Sequence, residues 1–242
     1  MLDQLKSHVS VRKYTDEPIS DETLHDMITA AQSAASSHFV QAYSMIDVVD
    51  PEKREQLAEL SKNPVQFKGA ARAFVFCADL KRLEHAAAKH GKQIEGSTTE
   101  NFVVSVIDTA LFAQNFVTAA ESKGYGICYI GGVRNNPGPI SEVLELPDYV
   151  IPLFGLTIGV PATKNAVKPR LPVNAILHTD RYQEEKYEGI LDEYDAILRA
   201  YYESRASNQK SATWTENMAD YLSQARREHM KDFIQSKGFL KK

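Results

Sequence analysis

The sequence predicts an α+β chain, with a central mixed or antiparallel sheet flanked by helices. Three observations carry this. Residues 73–78 (AFVFCA) form an unbroken apolar run, which reads as a central strand, and residues 151–160 form another apolar strand. Helical patterns stand between the strand candidates without the regular spacing of βαβ units. Residues 99–123 form one long helix, roughly 36 Å at the standard rise.

Taken in order, residues 2–7 are a short helix candidate, and 8–14 (HVSVRKY) alternate as an extended segment. Ser20 is an N-cap followed by Asp21 and Glu22, and Leu24, Met27, Ile28 and Ala31 form the inner face of that helix. Small polar residues at 34–38 end it. Residues 43–49 are a strand, Pro51 opens a helix through 60, and 62–69 is expected as loop. A charged helix over 80–89 and a mobile linker over 90–97 precede the long helix.

On that helix Phe102, Val106, Ala110, Ala113, Val117 and Ala120 share one face. Val103, Ile107 and Leu111 mark a second, so the helix is expected to be buried on most sides, either as a central core helix or with part of it covered by a second subunit. Gly124 stops it. A strand over 125–130 follows, and Gly131-Gly132 removes two side chains, as suits the approach of a flat ligand. Residues 140–146 are a short helix. From 161 the chain becomes a basic loop (KPRLP, 168–172) and two helices, 190–202 and 213–234, too poor in apolar residues to fold alone. The expectation is one domain over 1–242, with a core over 1–160 and a helical extension over 161–242 that drapes over the core or a partner subunit.

Composition narrows the function. With 43% hydrophobic and 25% charged residues the 242-residue chain is ordinary globular protein, and a net charge of −4 argues against a nucleic-acid partner. No 18-residue apolar run is read, so no membrane span is expected, and the N-terminus lacks a signal-like apolar region. The expected compartment is the cytoplasm. Cys77 and Cys128 lie in apolar runs as buried thiols. Seven histidines show no metal-ligand spacing, so no metal is expected, and there is no nucleophile elbow, phosphate loop or acid–base pair. No side chain is assigned as catalytic; a cofactor is expected to carry the reaction. What remains is basic and hydroxyl groups: His8, Ser10 and Arg12 at a spacing of two, Ser36-Ser37, and Lys168 and Arg170 around Pro169. Together they suit a phosphate and a polar tail, with Gly131-Gly132 beside a flat ring. Singly, each reads as readily as solvated surface or a helix end.

The order of these motifs resembles a known family. His8-x-Ser10-x-Arg12-x-Tyr14-Thr15-Asp16-Glu17-Pro18-Ile19-Ser20 is similar to the opening of the oxygen-insensitive NADPH nitroreductases and flavin reductase P proteins. Ala34-x-Ser36-Ser37-x-Phe39-x-Gln41, Asp108-Thr109-Ala110, Tyr129-Ile130-Gly131-Gly132-x-Arg134-Asn135-Asn136 and Lys168-Pro169-Arg170-Leu171-Pro172 continue the likeness, and Glu203-x-Arg205 carries it into the tail. The resemblance implies a nitroreductase-like fold in an intertwined homodimer with extended C-terminal helices. It implies FMN held by His8, Ser10, Arg12, Ser36, Tyr129, Ile130, Gly131, Gly132, Lys168 and Arg170. It implies NADPH as electron donor, its 2′-phosphate held by Arg205 and a second residue. Small-molecule acceptors such as nitroaromatics and quinones would follow by ping-pong two-electron hydride transfer.

The chain also departs from the pattern. His38 stands where the family often has serine, Gln66 in the 63–67 segment would replace a flavin-contacting glutamine, and Lys210 occupies the second arginine's place. Lysine keeps the charge but loses the bidentate fork, so NADPH preference with weaker discrimination against NADH is expected. The alternatives are a flavin reductase that releases reduced FMN and a non-enzymatic flavin-binding protein.

Overall fold

The structure is a computed structural model and describes residues 1–163, 165–205 and 213–242. Its longest helix, α6 (Thr99–Ser122), begins where the Thr98 hydroxyl accepts the N–H of Asn101. It ends at Gly124, φ +86°, with Gly124 N–H donating to Glu121 O at 3.0 Å and Tyr125 N–H to Ala120 O at 3.1 Å. These paired bonds are a Schellman ending, which glycine reaches without a Cβ clash. Between the ends the 3.6-residue period buries Phe112, Ala113, Phe116, Val117 and Ala120.

Within the chain α6 is buried on one face and not on most sides: Val103, Ile107 and Leu111, the second apolar face, are 41, 50 and 42% exposed. The helix is also long and apolar enough to cross a bilayer by length and composition, which the sequence reading missed. Its buried side packs on the sheet as a core helix does.

The sheet has four strands in the order β1-β2-β4-β3: β1 (Tyr43–Asp47), β2 (Arg72–Asp79), β4 (Val150–Gly159) and β3 (Gly126–Ile130). All three strand pairings are antiparallel, one of the two arrangements expected, and a parallel bridge joins Ser10 to Ile127. Residues of β2 are apolar without a break because both faces are covered. Phe74 and Phe76 face α2 (Asp21–Ala31) and α6. Ala73, Val75 and Cys77 lie in the second core, with Leu57 and Ala58 of α3 (Pro51–Ser61), Phe67 of α4 (Pro64–Gly69) and Ile140 of α7 (Pro137–Val143). Helices on both faces thus give an antiparallel strand the run usually associated with parallel sheets. Phe76 stacks on Phe154 at 5.4 Å and Phe74 meets Phe116 edge-on at the same distance.

The predicted Ser20 cap forms, accepting from Thr23 N–H, and Asp50, not read as a cap, accepts from Glu52 and Lys53 N–H before Pro51. Helices α1 (Leu2–Lys6) and α5 (Lys81–Ala88) also match their readings. The loop expected over 62–69 is instead mostly α4. Lys62 turns the chain in the left-handed region, φ 58°, and Pro64 presets the first helical φ. Phe67 is then fully buried, and Arg54 ties the segment down through Phe67 O at 2.7 Å and Ala70 O at 2.5 Å. Tertiary anchoring decides a segment of six residues, too short to show a period.

Residues 1–165 and 227–242 form one compact unit, and 166–226 form another. The second unit contains α8 (Val173–Ile176), α9 (Tyr187–Glu203) and α10 (Trp214–Leu222). Asp195 on α9 accepts the N–H groups of Trp214 and Thr215 at 2.9 and 3.0 Å, and Thr213 forms a capping box with Glu216. The single helix expected over 213–234 is two helices. The chain breaks after Leu222, Arg227 takes φ 53°, and α11 (Met230–Ser236) follows. The end of the chain belongs to the first unit's core: Ile234 and Phe239 are buried with Ile151 and Leu153. Lys237 Nζ donates to Leu146 O at 2.6 Å.

Candidate functional site

The extended segment 8–14 lies along β3. Ser10 bridges Ile127 and Val11 N–H donates to Ile127 O at 2.8 Å, so Val11 points into the core. Alternation turns its neighbours outward. Arg12 is exposed and has no hydrogen-bond or ion-pair partner among the described residues. Ser10 is half-buried, and its carbonyl accepts from Asn165 Nδ2 at 3.0 Å. His8 is held from α6: its Nδ1 sits 2.5 Å from Glu121 Oε1. Such a contact fixes the ring orientation and leaves Nε2 for another partner. Glu121 also acts on Tyr129, whose phenol is pushed up to about 12, first by desolvation and then by that carboxylate. At Cys128, burial raises the thiol and the Arg12 charge works against it.

Ser36 has a structural job that the sequence did not reveal. Asp108, buried in the middle of α6, accepts Ser36 Oγ at 2.6 Å, Ser37 N–H at 3.1 Å and Ala42 N–H at 3.1 Å. Ser36 Oγ in turn accepts Gln41 N–H at 2.7 Å. One carboxylate therefore pins the loop 36–42, which carries His38, Phe39 and Gln41 at φ 47°, 59° and 51°. Left-handed non-glycine residues persist only where the surroundings over-determine them. Phe39 is 77% exposed at the loop's crest. An acid inside an apolar helix was the available signal for Asp108. Asp108→Asn turns an N–H donor toward a donor, and is expected to cost about 1–3 kcal/mol. That corresponds to a melting temperature lower by roughly 2–12 °C in a thermal melt, with earlier proteolysis within 36–42.

The four residues 129–132 divide by role. Tyr129 is 38% exposed and packs edge-on to Phe154 at 5.3 Å. Ile130 is 2% exposed, so it would meet a ligand through its backbone. A Cβ on Gly131 would meet nothing closer than Arg134 Nη2 at 3.5 Å. A Cβ on Gly132 would lie 2.1 Å from Ser61 O and 2.3 Å from Asn63 Nδ2. Gly132 therefore serves close packing on the end of α3, and only Gly131 leaves room for a ligand. The same helix end is closed by Asn135 Nδ2 to Ser61 O at 3.2 Å and Asn136 Nδ2 to Leu60 O at 2.7 Å. These amides satisfy carbonyls that a helix leaves unpaired. Gln66 is half-buried on α4 beside Phe67.

In the second unit Arg170 Nη1 donates to Lys168 O at 3.2 Å, and Lys168 Nζ sits 5.3 Å from the centroid of Tyr202. Tyr194 Oη donates to Pro169 O at 2.9 Å and so holds the basic loop on α9. Arg205 lies 5.9 and 6.0 Å from the ring centroids of Tyr201 and Tyr202. Lys210 lies outside the described residues. No group of three metal-ligating side chains occurs among the described residues.

These residues fit a flat, phosphate-bearing cofactor. Arg12 offers a guanidinium fork unengaged among the described residues, and Gly131, just past the end of β3, offers open backbone. The model described as the nitroreductase family matches residues 5–160, and that described as its C-terminal domain matches 168–242. The chain belongs to the nitroreductase family. It is 57% identical to a Cr(VI) reductase of Pseudomonas sp. (strain G-1), over 97% of each chain. It is 40% identical to the FMN reductase (NADPH) of Bacillus subtilis (strain 168), over 99% of this chain and 98% of the relative. The solved structure of the NfrA1 nitroreductase from B. subtilis superposes with a TM-score of 0.95 at 40% identity, covering 100% of this chain and 99% of that one.

Proposed function

We propose that the chain is an FMN-dependent NADPH oxidoreductase that reduces small electron acceptors: nitroaromatics, quinones and, by likeness to the Pseudomonas relative, chromate. The observation that carries this reading is Arg12, an exposed guanidinium without a partner among the described residues, in a His-x-Ser-x-Arg segment seated along β3. When bound, FMN supplies two-electron hydride chemistry between nicotinamide and acceptor. The protein's own residues bind and orient. Arg12 neutralises the phosphate, and His8, steadied by Glu121, presents Nε2 as a further polar contact. Lys168 and Arg170 are the second unit's residues of the same chemistry. Gly131 admits the ring, Tyr129 stays a neutral phenol at working pH, and Gln66 supplies an amide from α4. Arg205 and Lys210 are assigned to the NADPH 2′-phosphate, with NADH a weaker donor.

The apolar stripe Val103, Ile107 and Leu111 supports a homodimer, because isolated apolar stripes on a helix are covered by a partner. A second reading, an NAD(P)H:flavin reductase that supplies reduced FMN, is favoured by the B. subtilis relative. One experiment separates them. The purified protein is expected to carry stoichiometric FMN by absorption and to oxidise NADPH with nitrofurazone, a quinone and chromate. Colourless protein active only with added FMN would select the second reading. Comparable kcat/KM for NADPH and NADH would remove the nucleotide preference.

A further inference from the structure

Tyr202 takes no part in the roles assigned above, yet its ring touches two of the residues that do. Lys168 Nζ lies 5.3 Å from the ring centroid and Arg205 Cζ lies 6.0 Å from it. Both distances fall within the range where a cation is attracted by the ring's quadrupole. Tyr201 adds a second wall: its ring is 5.5 Å from Tyr202 at 60°, and Arg205 is 5.9 Å from it. Tyr202 lies eight positions after Tyr194, hence on the same side of α9, and Tyr194 anchors the loop of Lys168 through Pro169 O at 2.9 Å. Residues of α9 thus set both the basic loop and Arg205, the second residue beyond the helix.

We propose that Tyr202 is a positioning residue that holds Lys168 and Arg205 by one aromatic ring, linking phosphate capture by the first to 2′-phosphate recognition by the second. The proposal rests on the reading of Lys168 and Arg205 given above. A long cation loses rotamer freedom when it binds an anion, and a ring that restrains it beforehand lowers that cost. The ring matters here and its hydroxyl does not, so Phe replaces Tyr without loss.

The test uses the full chain and binding measurements. Titration calorimetry of 2′,5′-ADP against 5′-AMP reads the nucleotide side, and quenching of FMN fluorescence by apoprotein reads the cofactor side. Tyr202→Leu and Tyr202→Met are both made, so that one folded variant suffices, with Tyr202→Phe as the rescue and Arg205→Ala as the reference. Expected are a 2- to 5-fold (on the order of one cation–π contact) weaker binding of 2′,5′-ADP and of FMN in the Leu and Met variants, unchanged 5′-AMP binding, and wild-type values for Phe. Wild-type 2′,5′-ADP affinity in the Leu and Met variants, with Arg205→Ala impaired, overturns the role of Tyr202 alone. An Arg205→Ala variant with unchanged 2′,5′-ADP binding overturns the reading of Arg205 and this proposal with it.

Discussion

Arg12→Ala is expected to weaken FMN binding about 10- to 150-fold, the equivalent of roughly 1.5–3 kcal/mol for a lost charge-assisted contact. The protein's melting temperature without FMN should stay near that of the parent. The two halves of this expectation have one cause. Arg12 is exposed and makes no hydrogen bond or ion pair among the described residues, so the fold loses nothing when it is truncated. Its neighbour Val11 is 3% exposed and holds the segment on β3 by its own burial and by the bond to Ile127 O. Arg12→Lys should fall between the two, since it keeps the charge and loses the fork. Fluorescence titration of apoprotein with FMN gives the affinity, and a thermal melt gives the stability. Full retention of FMN by Arg12→Ala through gel filtration would exclude the phosphate role.

The second large effect separates two adjacent glycines. Gly132→Ala places a methyl 2.1 Å from a backbone oxygen, and backbone is not free to rotate away as a side-chain tip is. The end of α3 or the turn at 131–135 must shift, at about 2–4 kcal/mol, near the upper end of overpacking costs. In a chain of this size that lowers the melting temperature by roughly 4–16 °C. Gly131→Ala meets only Arg134 Nη2 at an ordinary 3.5 Å, so stability should hold. The added methyl stands where the flat ring is expected, and FMN affinity should fall instead. Melting curves and FMN titrations of both variants form a crossed pair, and equal stability loss in the two would refute the division.

Much of this was legible in the residues. The bounds of α6 followed from its 3.6-residue period and from Gly124, because a long helix offers many turns over which a pattern repeats. β2 was legible because an unbroken apolar run has few other solutions. The α4 segment was not, since it exists by virtue of the burial of Phe67 and the reach of Arg54. Within the candidate site the exposed groups were readable: Arg12 lies where alternation put it. Groups that act through other groups were not. Asp108 and Glu121 meet their partners across 72 and 113 residues of chain, and nothing local marks such a pairing. The packing role of Gly132 was hidden for a similar reason. A glycine shows that a side chain is unwelcome there, but only the surroundings reveal whether protein or ligand takes its place.

The burial of Phe239 has a bearing on how the chain is made. Residues 227–242 close the same unit that 1–165 begin. During synthesis the first unit must therefore wait, its apolar slot around Ile151 and Leu153 unfilled, while residues 166–226 are added. At about 5–20 residues per second that interval lasts roughly 3–12 s. The nascent chain spends it with the docking surface for its own C-terminus uncovered, a window in which a chaperone, or a neighbouring nascent chain, competes with the protein's last helix.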